Sequence, residues 1–205
     1  MTRTPNFKGD DDIDWSEHAE QQIKLGMQDF QPKNLDYFAD LIPPEALVLD
    51  FGCNIGRWAK AIVGNGWNYV GLDASETALE LAHDYYTTYC LEKKIPQSIY
   101  FIHSNGLNMT EHDMLTKDSF DLIFTNVVLQ HIHNVHKTRI LINMFYLLKP
   151  GGHLVIQEVV DAKNIRAGDR SWWINEIEDV GFSFLKHTEP NDTRNGFVFR
   201  KPLKE

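Results

Sequence analysis

The chain has 205 residues, a length that predicts a single domain. Its composition, 42% hydrophobic and 24% charged, is ordinary for a globular protein and excludes wholesale disorder. Acidic residues number 29 against 20 lysines and arginines, and the resulting formal charge of −9 disfavours nucleic acid and anionic membrane surfaces as partners.

The cysteines and the N-terminus bear on the cellular location. Cys53 and Cys90 are too few for a disulfide framework and have no metal-binding spacing, which suits a reducing compartment. Residues 1–12 lack the apolar core of a secretion signal, and no apolar run approaches the length that crosses a bilayer. We therefore expect a cytoplasmic protein without membrane contact. The sequence leaves its oligomeric state open.

Residues 1–44 predict an N-terminal arm followed by two cap helices. Ser16 is a candidate cap for the first helix, because apolar residues then recur near helical spacing at Ala19, Ile23, Met27 and Phe30. The pattern over residues 35–42 predicts the second helix, which Pro43-Pro44 ends.

Residues 45–205 predict a Rossmann-like core, because short apolar runs alternate there with helical patterns. The predicted strands are 46–51, 69–73, 99–103, 120–125, 153–159, 182–187 and 196–200. Four helices are predicted: one over 57–63, one that begins after a cap at Ser75, one that ends at Leu148, and one over 172–180. The last two strands form a hairpin, which places an antiparallel strand on an otherwise parallel sheet. The fold class is therefore α/β.

The first predicted strand runs into a turn that contains Gly52 and Gly56. Ligands of open α/β sheets bind beyond the carboxyl ends of the strands, where glycines let the backbone approach closely. Asp73 closes the second strand, 21 residues after Gly52, and a carboxylate there can accept both hydroxyls of a ribose. Glycines alone are also common in strand-to-helix turns. Their combination with Asp73 favours a nucleotide-like ligand.

The residues around these glycines argue against a dinucleotide. A pyrophosphate turn needs Gly-x-Gly-x-x-Gly, whereas Cys53, Asn54 and Ile55 separate the two glycines here. Asp50 precedes the turn, and its charge would repel a pyrophosphate but favour a ligand with an ammonium group. A nicotinamide-dependent oxidoreductase is disfavoured accordingly.

Four motifs follow one another along the chain, at residues 48–56, 71–75, 120–123 and 147–154. In this order they resemble the class I S-adenosylmethionine-dependent methyltransferases, of the small type 11-like kind. The resemblance implies a doubly wound sheet of seven strands in the order 3-2-1-4-5-7-6, with strand 7 antiparallel and helices on both faces. The predicted terminal hairpin agrees with that arrangement.

The resemblance also implies a cofactor, S-adenosyl-L-methionine, and its product, S-adenosyl-L-homocysteine. Asp50 and Asn54 belong to the implied cofactor-binding set. The other implied contacts are Gly52, Cys53 and Gly56 with the methionine portion; Asp73 with the ribose; Ala74 and Ser75 with the adenine; Asn105 and Gly106 with the adenine edge; and Asn126 under the sulfonium.

Two positions depart from the family pattern. Asn54 stands where the family usually has glycine, and asparagine tolerates positive φ better than other residues with a side chain, so we expect the turn to keep its shape. Asn105, or Ser104 beside it, stands where the family often has aspartate. An amide oxygen can still accept a hydrogen bond from an adenine amino group.

His131 is the candidate catalytic residue. It lies in the segment after strand four, which passes next to the methyl donor in the resembling enzymes, and a histidine suits a general base near neutral pH. The alternative is that His131 only caps a helix or bonds a carbonyl. His133 is a weaker candidate. We predict no metal site, because His131, His133 and His136 do not share one helix face.

The acceptor pocket is expected from parts outside the shared core. Trp15 and its helix lie on one side, and Glu158 at the end of strand five is expected to face the mouth of the site. A basic and aromatic cluster is also expected, although its tryptophans are equally suited to packing the helix on the sheet; it comprises Arg166, Arg170, Trp172 and Trp173.

The sequence therefore predicts a methyltransferase acting on oxygen or nitrogen of a small-molecule acceptor. Residues 126–129 read Asn-Val-Val-Leu and lack the Pro-Pro-Tyr of amide and adenine methylases, which with the acidic charge disfavours DNA. The alternatives are a non-catalytic subunit that binds the cofactor, or an enzyme acting on a protein or RNA.

Overall fold

The computed structural model describes residues 14–27, 35, 38–159, 169–191 and 194–204. The strands are β1 (Leu47–Phe51), β2 (Asn68–Asp73), β3 (Ile99–His103), β4 (Phe120–Asn126), β5 (Leu148–Val159), β6 (Ser183–Asn191) and β7 (Arg194–Arg200). The α-helices are α1 (Trp15–Lys24), α2 (Ala59–Gly64), α3 (Glu76–Lys93), α4 (Asn134–Leu147) and α5 (Arg170–Glu178). None of the helices in these described ranges is both long and apolar enough to cross a membrane.

All seven strands form one sheet in the order β3-β2-β1-β4-β5-β7-β6. The pairs from β3 to β5 are parallel, whereas β7 runs antiparallel to both β5 and β6. The predicted order and the antiparallel seventh strand are confirmed. Because β1, β2 and β4 are parallel, the residues that follow Phe51, Asp73 and Asn126 emerge at the same edge of the sheet.

The central strands are uniformly apolar because helices cover both faces of the sheet. On one face, Leu49, Ile123 and Ile156 pack against α4 and α5. On the other face, Leu122 and Val155 belong to the cluster that includes α2 and α3. Alternate residues of one strand therefore belong to different cores, so the position of a residue within its strand decides which helices it meets.

The helix boundaries correct two expectations and confirm a third. Asp14, not Ser16, caps α1: its Oδ1 accepts from the backbone N–H groups of Ser16 and Glu17, at 3.0 and 3.1 Å. Where a helix was expected over 35–42, the described residues contain a 3-10 turn at Ala39–Leu41. Ser75 caps α3 as predicted, accepting from the N–H of Ala78. The expected arm lies outside the described residues.

The fifth strand begins earlier than expected, directly after α4, at Leu148. Leu148 pairs with Phe120 and His153 with Leu122, so residues 149–152 bulge out of the ladder rather than precede the strand. Gly151, at φ 82°, provides the left-handed conformation that such a bulge uses.

Two lysines form hydrogen bonds at the end of the sheet that is opposite the glycine turn. Lys201 is buried and donates to Asp118 and to the carbonyls of Phe145 and Leu148, each at 2.7 Å. Lys149 donates to Asp121 at 2.8 Å, and Asp121 also accepts the N–H of Leu47 at 2.9 Å. These contacts join the starts of β1, β4 and β5.

Candidate active site

The turn after β1, residues 52–56, needs glycine at both ends. Gly52 and Gly56 have φ of 76° and 72°, which residues with a side chain adopt at a cost. A Cβ at Gly52 would lie 2.4 Å from Val128 Cγ2, and one at Gly56 would lie 2.9 Å from the ring of Tyr86. The N–H of Gly52 donates to the carbonyl of Leu72 at 2.7 Å, which ties the turn to β2.

Asp73 links this turn to the end of β2. Its Oδ2 accepts from the N–H of Asn54 at 2.8 Å, and its Oδ1 accepts from the N–H of Ser75 at 2.8 Å. Burial raises the pKa of the Asp73 carboxyl, and these backbone bonds lower it. A carboxylate has about four acceptor positions. Asp73 is therefore fixed in place and retains capacity for the hydroxyls of a ribose.

Asn54 keeps the turn in shape without the usual glycine. It adopts φ 49°, and its Oδ1 accepts from the N–H of Ile55 at 2.8 Å. Ile55 is fully buried with Ala19 of α1 and Ala78 of α3, so α1 covers this part of the turn.

Ala74 and Ser75, the residues expected beside an adenine, connect β2 to α3. Ser75 is buried and uses its side chain to cap α3, so a ligand would meet its backbone. Ala74 is exposed, and His103 Nε2 donates to its carbonyl at 3.0 Å. The sequence did not point to His103, which closes β3.

The turn after β3 approaches β1 closely. Gly106 has φ 79°, and a Cβ there would lie 2.7 Å from the ring of Phe51. Asn143 of α4 donates to the carbonyls of Gly106 and Leu107 at 3.0 and 2.9 Å, and Asn105 Oδ1 accepts from the N–H of Leu107. Asn143 was missed, although a buried amide on an apolar helix face is a recognisable signal.

Two of the predicted residues have side chains that face the interior. Asp50 is 2% exposed and accepts from the Tyr69 hydroxyl at 2.8 Å; burial raises its pKa to about 7. Cys53 is buried, and its Sγ would be only 2.8 Å from a Cβ added at Gly71. The side chains of Asp50 and Cys53 therefore pack inside the protein instead of projecting from the carboxyl ends of the strands.

Asn126 presents an acceptor at the end of β4. Its Oδ1 is buried and has no hydrogen-bond partner among the described residues. Phe51 pairs with Thr125, which places Asn126 across from Gly52. An unpaired buried acceptor beside a glycine turn suits a ligand that carries a donor or a positive charge.

His131 closes a 3-10 turn, Leu129–His131, in the connection between β4 and α4. The imidazole is half-buried and lies edge-on to the ring of Trp15 of α1, with 5.3 Å between the ring centroids. Gln130 Nε2 lies 3.1 Å from His131 Nε2. Burial, followed by the charge of Lys137, lowers the pKa of His131, so the neutral imidazole that accepts a proton is the main form near pH 7.

The other two histidines of this segment lie at the start of α4, and His133 stays the weaker candidate. His133 precedes α4 and makes no side-chain cap bond, and His136 is in the first turn of α4. In the part of the chain that the structure describes, no three His, Cys, Asp or Glu side chains are placed to hold a metal ion.

Glu158 does not face the mouth of the site, contrary to expectation. It is fully buried on the sheet face that packs against α4 and α5, and its carboxylate accepts backbone N–H groups of the β4–α4 connection. The cause is strand alternation: Ile156, two residues earlier, belongs to the same core.

The expected basic and aromatic cluster is mainly a packing feature. Trp173 is fully buried and Trp172 partly so, with ring centroids 4.8 Å apart. Lys137 lies over both rings, with its Nζ 5.0 Å from each centroid. Arg170 is exposed, and Arg166 lies outside the described residues.

These features suit S-adenosylmethionine. The tight glycine turn, the fixed carboxylate of Asp73 and the unpaired oxygen of Asn126 lie at one edge of a sheet whose order is that of class I S-adenosylmethionine-dependent methyltransferases. The methyltransferase-domain family matches residues 18–189. The chain belongs to that family and is a class I methyltransferase domain.

Individual relatives are distant. The chain is 25% identical over 112 residues to a ubiquinone biosynthesis O-methyltransferase of Rickettsia canadensis, covering 55% of this chain and 42% of that protein. It is 24% identical over 153 residues to phosphoethanolamine N-methyltransferase 1 of Triticum aestivum, covering 70% and 29%. The chain spans less than half the length of the curated relatives it matches.

Solved structures match over almost the whole chain. A SAM-dependent methyltransferase from Aquifex aeolicus superposes with a TM-score of 0.72 at 14% identity, over 92% of this chain and 99% of that one. At this identity the likeness demonstrates the fold.

Proposed function

We propose that the protein transfers a methyl group from S-adenosylmethionine to an oxygen or nitrogen atom of a small molecule. The observation that carries the proposal is Asp73, whose two carboxylate oxygens are tied to the glycine turn and to the start of α3 at the ligand-binding edge. When bound, the cofactor supplies a methyl group activated by a positively charged sulfur.

Each part of the edge has a role in this proposal. The turn from Gly52 to Gly56 holds the amino acid portion, and Asp73 binds the ribose hydroxyls. Ala74, Ser75, Asn105 and Gly106 surround the adenine, with Ser75 acting through its backbone. The unpaired Oδ1 of Asn126 faces the positively charged part of the cofactor.

His131 is the proposed general base for the acceptor. Its lowered pKa keeps the imidazole neutral near pH 7, so that one ring nitrogen can accept a proton from a hydroxyl or ammonium. Trp15 packs against His131, so α1 forms one wall of the proposed acceptor pocket.

A small-molecule acceptor is supported by the relatives and by charge. One relative is named for O-methylation in ubiquinone biosynthesis and another for N-methylation of phosphoethanolamine, so both acceptor atoms stay within the proposal. The formal charge of −9 disfavours a nucleic acid.

Titration calorimetry with S-adenosylhomocysteine tests the cofactor assignment. Wild-type protein should bind, and Asp73→Ala should bind about 10–100-fold more weakly, because hydrogen bonds to a charged group contribute about 1.5–3 kcal/mol. Asp84→Ala is the matched control, since Asp84 is an exposed acid of α3. Equal affinity in wild type and Asp73→Ala would refute the ribose assignment, and binding of a nicotinamide dinucleotide instead would refute the proposed function.

The acceptor requires a second experiment. Incubation of the protein with labelled S-adenosylmethionine and a metabolite panel, with protein and RNA fractions added separately, identifies the class that gains label. Cofactor binding without transfer to any of these would favour a non-catalytic subunit.

A further inference from the structure

Glu158 is a buried acid that the proposed chemistry does not use. It lies near the end of β5, is 0% exposed, and accepts three consecutive backbone N–H groups: those of Val128, Leu129 and Gln130, at 3.0, 2.9 and 3.3 Å. The first N–H groups of a helical turn have no partner within the turn itself. The carboxylate of Glu158 therefore satisfies them from a neighbouring strand.

The backbone immediately before these groups is strained. Val127 has φ 59°, a left-handed conformation that a β-branched residue rarely adopts. Its N–H donates to the carbonyl of Gln157 at 2.7 Å. Gln157 and Glu158, which are adjacent in β5, therefore bind the backbone at Val127 and directly after it. A strained conformation such as that of Val127 persists only where its surroundings fix it.

The turn that Glu158 holds presents two parts of the proposed site. The side chain of Val128 lies where a Cβ on Gly52 would clash, so it forms a wall against the glycine turn. His131 stands at the other end of the same turn and packs against Trp15. The cofactor side and the acceptor side are therefore connected through one short segment.

Burial and the surrounding donors act in opposite directions on the Glu158 carboxyl. Burial raises its pKa to about 7, whereas the N–H groups of residues 128–130, and to a smaller extent the positive charge of Lys137, lower it. Lys137, on α4, is 1% exposed. The Nζ also lies over the rings of Trp172 and Trp173. A carboxylate accepts all three N–H groups, whereas a protonated carboxyl has one oxygen that donates instead.

We propose that Glu158 is a positioning residue: by accepting the N–H groups of residues 128–130, its carboxylate fixes the β4–α4 turn and so holds Val128 and His131 in place at the proposed site. This inference rests on the proposed function for the measurement of cofactor affinity, but not for the measurement of hydrogen exchange. Glu158 is fully buried and bonded to the turn, so in this proposal it acts through the turn.

Glu158→Gln tests this proposal because it keeps the shape but replaces one acceptor oxygen by a donor. The matched control is Asp121→Asn, a carboxyl that also accepts a backbone N–H and pairs with a lysine, but at the opposite end of the sheet. Three quantities are measured for both variants: amide hydrogen exchange at residues 128–130 without ligand, the Kd of S-adenosylhomocysteine, and the Tm.

In Glu158→Gln, exchange at residues 128–130 should accelerate about tenfold or more, and the Kd should rise about 5–10-fold. Asp121→Asn should lower the Tm but leave both of these within about twofold of wild type. Glu158→Asp retains the charge on a shorter side chain that cannot reach all three groups, so it should show the same two changes and carries the test if the Gln variant does not fold.

The proposal is overturned if the exchange at residues 128–130 in both Glu158 variants equals that of wild type. It is also overturned if Asp121→Asn changes exchange and Kd as much as they do, because the effect would then be general destabilisation. Wild-type protein that fails to bind S-adenosylhomocysteine would refute the proposed function, while the exchange measurement would still decide the role of Glu158.

Discussion

The substitution Gly52→Ala tests the contact between the glycine turn and the β4–α4 connection. At φ 76° an alanine costs about 1–2 kcal/mol, because its Cβ crowds the following carbonyl. The same Cβ would lie 2.4 and 2.6 Å from the two methyls of Val128 and 3.0 Å from its Cβ, so side-chain rotation alone does not relieve the clash. Overpacking of this kind costs about 1–3 kcal/mol more.

We therefore expect Gly52→Ala to lower the free energy of unfolding by about 2–5 kcal/mol, and the Tm by about 10 °C for a domain of this size. Urea denaturation and calorimetry measure both quantities. Two other glycines separate the causes. Gly26 has φ 68° and no atom of the described residues within 4 Å of the place that a Cβ would occupy, whereas Gly64 has the same open space, among those residues, without the positive φ.

Gly26→Ala should lose only the conformational cost of about 1–2 kcal/mol. Gly64→Ala should be neutral or stabilising by up to about 1 kcal/mol, because alanine favours a helix over glycine. Adding Val128→Ala to Gly52→Ala should restore the part of the loss due to the clash. If Gly52→Ala is no less stable than Gly26→Ala, the close packing of Val128 on the turn is refuted.

Two further predictions concern titrating groups. Burial raises the pKa of Asp50 from 3.8 to about 7. Its contribution to stability is therefore full below pH 3.8 and is lost as the pH rises through 7, on the order of 4 kcal/mol in total. The free energy of unfolding, measured against pH for wild type and Asp50→Asn, should show this difference, and parallel curves would contradict it. His131→Gln should lower turnover at least tenfold with little change in cofactor affinity. In wild type, protonation of His131 should slow the reaction at a pH below the ordinary pKa of histidine, and this loss should be absent in the variant. Unchanged rates at every pH would leave His131 a structural residue.

The sheet and the glycine turn after β1 could be predicted because their signals are local. An apolar run followed by a glycine turn, as at residues 46–56, contains its own evidence for a buried strand and a ligand-binding turn. Asp73 follows from its distance to Gly52 along the chain, and Ser75 from its position before a helical pattern. In each case the residues that decide the structure are neighbours in sequence.

Glu158 could not be interpreted correctly from sequence because its partners lie about 30 residues away, in a turn whose conformation the sequence does not reveal. A carboxylate at a strand end suggests a ligand, and only the register with β4 shows that it faces the core. Lys137 and Asn143 carried a usable signal: both lie on the apolar face of α4 formed by Ile140, Met144 and Leu147. A polar residue there must have a buried partner.

The assignment of individual residues to the cofactor stays a prediction, as do the acceptor, the role of His131 and the cytoplasmic location. Asp50 illustrates the reason. Its position before the glycine turn suggested direct attraction of an ammonium group, whereas its side chain lies inside the sheet with Tyr69. Sequence position determined which strand end it occupies, but packing determined which way it faces.

The position of β7 has a consequence for synthesis of the protein. It is the last of the seven strands along the chain, yet it lies between β5 and β6. Until residues 194–200 leave the ribosome, β5 has an unpaired edge of apolar residues such as Leu154 and Ile156, and β6 has no neighbour. An exposed strand edge invites pairing with other chains. Lys201 follows β7 in the chain, so its bonds to Asp118 and to the carbonyls of Phe145 and Leu148 form only after β7 has been synthesised.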